Sequence, residues 1–259
     1  MNLSLTDGVA SLQLAATDDG GYYALDGAVN WNPGVASQPL YAADLRDILS
    51  AAGAGARGVI WTGGAYTDVT GFVPVIPSVV TDTGGDAVEV ASLDTTPADG
   101  KRTVLPMHLD ANSQQLVVEW GQFDAQKVEQ RLFGELAFEF TYSNSPDQIP
   151  AEVTAASGQA ATAFPTVKLE AHDASGVQRV VVVYTDNRGQ FQAIDLAYLP
   201  DMQKWVGQLP VLLPSFWLAQ VVDGAGNVTL VTHKGGYFQA AQSVPMNEIY
   251  WGYIPLVQR

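Results

Sequence analysis

Cysteine is absent from this chain of 259 residues. Its absence excludes disulfides, thiolate metal sites and a cysteine nucleophile. Basic residues are also scarce, because 12 Lys and Arg stand against 27 Asp and Glu and give a formal charge of −15. A negative charge of this size repels the phosphates of nucleic acids and the surfaces of anionic membranes. We therefore expect no nucleic-acid partner.

Long apolar runs are missing as well. No run in the sequence approaches the ~20 apolar residues that a membrane-spanning helix needs, so we expect no transmembrane segment. The first seven residues, from Met1 to Asp7, lack the basic region and apolar core of a signal peptide. The chain is therefore either cytosolic or a piece of a longer protein. The strand-like pattern of residues 3–14 favours a piece, whose partners would include the other domains of its parent.

What the sequence does contain is typical of a β-protein rich in turns. Hydrophobic residues make up 47% of it, and 25 Gly and 14 Pro separate short apolar runs. We predict an all-β fold with one short helix at about residues 40–52. In that segment Leu45, Ile48 and Leu49 lie at helical spacing, and Gly53 follows as a terminator.

The apolar pattern also predicts a division of the chain. Residues 59–61 read as a buried strand followed by a turn at Gly63 and Gly64, and residues 132–142 read as a half-exposed strand. Polar and proline-rich residues at 143–150 mark the strongest boundary. We predict a β-rich domain at 1–145, with a further split near 94–102, a second domain at 146–240, and an apolar tail at 241–259 that docks on the fold.

The second half carries the clearest strand signals. Residues 180–184 are almost wholly β-branched, as in a strand that is buried on both faces, and residues 186–189 supply a turn. A hairpin is expected there. The runs 216–222 and 228–231 are interrupted by an Asp/Gly/Asn turn, so we expect them to be antiparallel neighbours.

Three of these segments carry a resemblance to a known family. The letters SGV at 175–177, VVVVYTD at 180–186 and VDGAGN at 222–227 are similar to a pattern in bacterial immunoglobulin-like modules, which include modules like fibronectin type III. The resemblance spans about residues 150–240, and it leaves the first half unassigned. It implies a β-sandwich of about seven strands. It also implies a stalk, spacer or interaction surface in a large secreted or surface protein, so an extracellular or cell-surface location is expected.

Catalytic residues are not evident in the sequence. The three histidines have no His or Glu at metal-ligand spacing, and no Gly-x-Ser-x-Gly pentapeptide is present. Paired carboxylates would suit a glycosidase, but each pair has a simpler place on a polar face or beside a turn. We therefore expect no catalysis, and an enzyme with an unfamiliar carboxylate site is the third hypothesis. The histidines are His108, His172 and His233, and the pairs are Asp44/Asp47, Asp82/Asp86 and Glu135/Glu139.

Turn clusters rich in aspartate leave a structural calcium ion open. Hard carboxylate and carbonyl oxygens are the ligands that calcium prefers, and none of the clusters is a full EF-hand loop. The same residue types form β-turns without any ion, so no cofactor is the first expectation. The candidate ligands are Asp18, Asp19, Asp82 and Asp86, with a further turn at 223–227.

Three tryptophans flanked by polar or turn residues, Trp31, Trp205 and Trp251, are candidates for stacking on a sugar. Two functions outside catalysis follow. The first is a non-catalytic structural or interaction region of an exported bacterial surface protein. The second is an accessory module of a secreted hydrolase that binds polysaccharide or peptide.

Overall fold

The computed structural model describes part of the chain. The backbone is described for residues 2–4, 13–17, 20–24, 29–31, 41–47, 55–72, 80–82, 87–89, 104–110, 115–124, 126–159, 164–185, 188–211, 215–240 and 249–253. Side chains are described for residues 57–72, 104–107, 116, 118–124, 126–159, 164–185, 188–211 and 215–240.

Twelve strands precede residue 145 in the described part of the chain. They are β1 (Asn2–Ser4), β2 (Gln13–Thr17), β3 (Gly20–Ala24), β4 (Val29–Trp31), β5 (Tyr41–Asp47), β6 (Gly55–Thr70), β7 (Val80–Asp82), β8 (Ala87–Glu89), β9 (Met107–Asp110), β10 (Gln115–Glu119), β11 (Gly121–Asp124) and β12 (Glu129–Ser143).

Ten further strands follow, with one short 3₁₀ turn at Pro200–Met202. The strands are β13 (Glu152–Gln159), β14 (Thr166–His172), β15 (Val177–Thr185), β16 (Gln190–Asp195), β17 (Ala197–Leu199), β18 (Lys204–Gln208), β19 (Phe216–Asp223), β20 (Val228–His233), β21 (Phe238–Gln239) and β22 (Ile249–Tyr253).

The fold is all-β, as predicted, and its largest sheet is curled and antiparallel. That sheet has the order β1-β12-β6-β16-β15-β19-β20-β22, with β11 paired to β12 and β21 paired to β19. Two four-stranded sheets have the orders β4-β5-β10-β9 and β13-β14-β18-β17. The remaining described strands form the hairpins β2-β3 and β7-β8.

The strands β15 and β19 form a central layer that is buried on both faces. Residues alternate between the two faces of a strand. On β15, Val181 and Val183 pack in one hydrophobic cluster with β6 and β12, whereas Val180 and Val182 pack in a second cluster with β13 and β14. Every residue from 180 to 185 is buried. The prediction of a strand buried on both faces is therefore confirmed.

The two predicted hairpins of the second half are also present. Strand β15 pairs with β16 through Val182 opposite Ile194, and Gly189 in the connection has a φ of 86°. Strand β19 pairs with β20 through Val221 opposite Thr229. In the second hairpin the Asp/Gly/Asn cluster lets the chain reverse, as the sequence indicated, whereas residues 186 and 187 of the first connection lie outside the described residues.

The long strands β6 and β12 form the layer that covers the first hydrophobic cluster. Along β12, buried Leu136, Phe138 and Phe140 alternate with partly exposed neighbours, which confirms the half-exposed strand. The predicted turn at Gly63 and Gly64 is wrong, because both glycines lie inside β6. They are required by close approach: a Cβ on Gly64 would lie 2.3 Å from the Glu135 carbonyl oxygen, and one on Gly63 would lie 2.8 Å from that of Phe191.

The predicted helix at 40–52 is wrong where the structure describes it. Residues 41–47 form β5, which pairs with β4 on one side and β10 on the other. A few apolar residues at helical spacing are a weak signal, and pairing with two neighbouring strands satisfies the same backbone groups. Residues 48–52 lie outside the described residues.

Strands from both sides of residue 145 share a sheet and a core. Strand β16 pairs with β6 through Phe191 opposite Gly64, and the first cluster contains Trp61 and Phe138 beside Leu218. A buried glutamine joins the same layers, because the Gln220 amide accepts from the Trp61 N–H and donates to the Trp61 C=O, both at 2.8 Å.

The domain boundaries stay predictions. Residue 145 lies between β12 and β13, residues 94–102 lie outside the described residues, and in the predicted tail β22 pairs with β20.

Candidate functional site

A groove of about 480 Å³ opens beside one end of β15 and β16. Arg179 of β15, Asp195 of β16 and Glu139 of β12 contribute its charged groups. Arg179 lies on the same face of β15 as Val181, which explains why its side chain meets β12 across the layers. The long-range pairing therefore brings together three charges that are separate in the sequence.

The three charged groups hold one another in place. Arg179 donates from Nε to Asp195 Oδ1 at 2.5 Å, from Nη2 to Asp195 Oδ2 at 3.2 Å, and from Nη1 to Glu139 Oε2 at 2.5 Å. The hydrogen bond to Asp195 raises the pKa of the guanidinium above its ordinary value; burial lowers it by less, and the bond to Glu139 raises it further. Arg179 is therefore a permanent cation. The sequence placed Glu139 only on a polar face and did not predict its ion pair with Arg179.

Trp205 is the one predicted sugar-stacking residue whose side chain the structure describes. It lines the groove from β18 and is half-buried. Its ring lies 5.4 Å from that of Tyr198, directly opposite on β17, and Tyr198 is 48% exposed. Trp31 lies on β4 and Trp251 on β22, so the three predicted residues belong to three different sheets. A shared face for them stays a prediction.

A second polar group of residues lies where three connections meet. One carboxylate oxygen from each of Asp147, Asp173 and Asp223 lies within 4.8 Å of the others. Asp147 belongs to the loop after β12, Asp173 follows β14, and Asp223 ends β19. Two hydrogen bonds hold this arrangement: the side-chain amide of Asn227 donates to the Asp147 carbonyl at 3.4 Å, and the Gly224 N–H donates to the Gly176 carbonyl at 2.8 Å.

Each of these aspartates also serves its own turn. Asp173 Oδ1 accepts from the Ser175 N–H at 2.7 Å, and Asp147 Oδ1 accepts from the Ile149 N–H at 3.0 Å. Asp223 Oδ1 accepts from the N–H groups of Ala225 and Asn227, both at 2.8 Å. The predicted turn at 223–227 is therefore confirmed at Asp223, and Asp173 forms a similar turn. Their convergence with Asp147 was not predicted.

The electrostatics of this group follow from burial. Asp223 is fully buried, and burial raises the pKa of its carboxyl above the ordinary value. Hydrogen bonds from Asn227 lower that pKa, and the charge of Asp173 raises it again. A proton on Asp223 or a hard cation would relieve the repulsion among the three carboxylates.

Asp223, from the predicted turn at 223–227, belongs to this group, whereas the side chains of the four aspartates named as calcium ligands lie outside the described residues. Asp82 ends β7, and only its backbone is described, whereas Asp18, Asp19 and Asp86 lie outside the described residues. A structural calcium ion at those four positions stays a prediction.

Removing the charge of Asp173 is expected to stabilise the protein at about pH 7 when a chelator is present. Asp173→Asn keeps the Oδ1 acceptor for Ser175 but ends the repulsion of Asp223, a gain of about 1 kcal/mol or less. The pKa of Asp223 is higher in the folded protein than in the unfolded chain. Wild-type stability therefore falls as the pH rises from the ordinary pKa of an aspartate through the raised pKa of Asp223. The variant should show a shallower fall in thermal melts.

Asp201→Asn is the matched control, because it makes the same change of net charge at an exposed position of the 3₁₀ turn. Equal midpoints for the two variants at every pH would contradict the repulsion. Calcium in place of the chelator tests an ion at this position: a bound ion raises the wild-type midpoint and makes Asp173→Asn destabilising.

All three histidines lie in strands, two of them at a strand's last residue. His172 is exposed and ends β14 immediately before the turn at Asp173. His233 ends β20 with its ring 5.9 Å from that of Phe238. For His108 only the backbone is described, within β9.

Comparison with protein-family models, with curated proteins and with solved structures finds no match to this chain. Within the part of the chain that the structure describes, no helix has the length and apolar character to cross a membrane.

Proposed function

We propose that residues 146–240 are an immunoglobulin-like module and that the chain is a non-catalytic structural or interaction region of an exported bacterial surface protein. The observation that carries the proposal is the order of the strands. Immunoglobulin-like sandwiches place strands A, B, E and D in one sheet, and C, F and G in the other, often with C′ added.

The eight strands from β13 to β20 follow this order. With β13 to β20 taken as A, B, C, C′, D, E, F and G, one sheet reads A-B-E-D and the other C′-C-F-G. All the pairings are antiparallel, and one hydrophobic cluster joins Val167 and Leu169 of β14 to Trp217 and Val221 of β19. A core shared by two such sheets is what a sandwich requires.

The module differs from an isolated sandwich in one respect. The outer face of the C′-C-F-G sheet is covered by β6 and β12, which bury Val181, Leu218 and Val222. The first part of the chain therefore packs directly on the proposed module. A rigid β-framework of this kind suits a spacer or a surface that presents ligands, although a fold by itself assigns no ligand.

Exposure on the producing cell is the test of this function. Antibodies raised against the 259-residue chain should label intact cells, and protease added outside the cells should remove the labelling. A cytosolic protein released only by lysis serves as the control. Recovery of the chain solely in the cytosolic fraction would overturn the proposal.

A further inference from the structure

The groove beside Arg179 has the size of a small-molecule site. Its volume of about 480 Å³ falls within the ~300–1,000 Å³ range of ligand pockets. Apolar side chains of Ile60, Leu196 and Val222 line it together with the half-buried indole of Trp205. Such sites combine an apolar lining with a few fixed polar groups that orient the ligand.

The polar groups of the groove are fixed before any ligand arrives. A guanidinium has five N–H donors, and the bonds of Arg179 to Asp195 and Glu139 use three of them, so two remain. Each ionised carboxylate has about four acceptor sites, more than these bonds occupy. Because the ion pairs already hold the groups, a ligand does not have to order them, which favours binding.

Donors and acceptors that alternate along one wall match hydroxyl groups, since a hydroxyl both donates and accepts. A sugar also has an apolar face formed by its C–H groups. Trp205 meets this face, because its flat ring can stack on it. Tyr198 contacts the Trp205 ring and is 48% exposed, so the aromatic surface continues onto β17.

Charge distinguishes between classes of sugar. One guanidinium and two carboxylates leave the polar wall with a net charge of −1, and the whole chain carries −15. Uronic acids and sulfated sugars would be repelled. We propose that this groove binds a neutral pyranose saccharide, with Trp205 stacking on one ring and Gln178, Arg179, Glu139 and Asp195 bonding its hydroxyls. The inference goes beyond the structural role proposed above.

The full chain should be titrated with cellohexaose, xylohexaose, mannohexaose and maltohexaose, and with hexagalacturonate as the charged comparison. Calorimetry should detect one or more neutral hexasaccharides, with Kd between about 1 μM and 1 mM. The indole N–H resonance of Trp205 should shift during the same titration. Trp205→Ala should weaken binding at least tenfold, whereas Phe164→Ala, an aromatic truncation at a 43% exposed position outside the groove, should not.

Trp205 also packs against the second hydrophobic cluster, so its truncation affects stability as well. Gln178→Ala avoids this difficulty because Gln178 is exposed, and it should weaken binding about threefold or more. The inference is overturned if no neutral hexasaccharide moves the Trp205 resonance, if both groove variants bind as the wild type does, or if only hexagalacturonate binds. Failure here would leave the proposed module intact, because surface exposure tests that proposal separately.

Discussion

Replacing Gln220 with leucine is expected to lower the free energy of unfolding by about 2–4 kcal/mol. Gln220 is fully buried, and its amide makes two hydrogen bonds of 2.8 Å to the N–H and C=O of Trp61. Leucine has a similar size, so little volume is lost. It leaves two buried backbone groups without partners, and each costs about 1–3 kcal/mol, partly offset by the apolar side chain.

Urea unfolding followed by circular dichroism measures this change, and Gln239→Leu is the matched control. Gln239 lies on β21, which also pairs with β19, but its side chain is exposed. The control should stay within about 0.5 kcal/mol of the wild type. Similar midpoints for the two variants would show that the Trp61 peptide groups do not depend on Gln220.

A second substitution at the same position gives a pH signature. Gln220→Glu keeps an acceptor for the Trp61 N–H but, when ionised, has no donor for the Trp61 C=O and places a charge at a fully buried site. Protonation restores a donor and removes the charge. Its stability relative to the wild type should therefore improve as pH falls, whereas that of Gln220→Leu should not.

Gly64→Ala is expected to destabilise the protein by about 2–3 kcal/mol. The new Cβ would lie 2.3 Å from the carbonyl oxygen of Glu135, which is backbone and cannot rotate away. Gly64 pairs with Leu136 on one side and Phe191 on the other, so β6 cannot move without disturbing two neighbours. Thermal unfolding should show a lower midpoint.

Gly134→Ala is the control for this second prediction. Gly134 lies in β12 at the shift of register between Phe133 and Glu135, and a Cβ there would meet nothing within 4 Å. The control should be neutral, or more stable by up to about 1 kcal/mol, because alanine restricts the unfolded chain. Equal losses from both variants would mean that general effects of glycine replacement, rather than the contact with Glu135, set the cost.

Local sequence predicted the elements whose causes are local. The β-branched run at 180–184 and the Asp/Gly/Asn turn at 223–227 were placed correctly. A strand buried on both faces favours β-branched residues, and left-handed turn geometry favours Gly, Asn and Asp. The helix predicted at 40–52 was wrong over the described residues 41–47, because β5 pairs on one side with β10, a strand that is distant in sequence.

Features that depend on long-range contacts could not be predicted. The residues near Gly64 do not indicate that the Glu135 carbonyl approaches it closely. The two adjacent glycines, Gly63 and Gly64, were therefore interpreted as a turn. Asp147, Asp173 and Asp223 converge only because three connections meet, and no fixed spacing relates them. Likewise, the sequence around Glu139 did not predict its ion pair with Arg179, whose side chain reaches it across the layers. Trp205 was named as a ligand candidate, but Arg179 and Asp195, which line the same groove, were not.

Burial of β15 and β19 between two layers has a consequence for the order of synthesis. The apolar faces of β6 and β12, with Trp61 and Phe138, are covered by residues as late as Val228. A chain made from its N-terminus therefore exposes these faces until most of its length has emerged. Such late closure slows folding, because the contacts are far apart in sequence. It also keeps the nascent chain open, the condition in which a polypeptide is most readily threaded through a narrow pore.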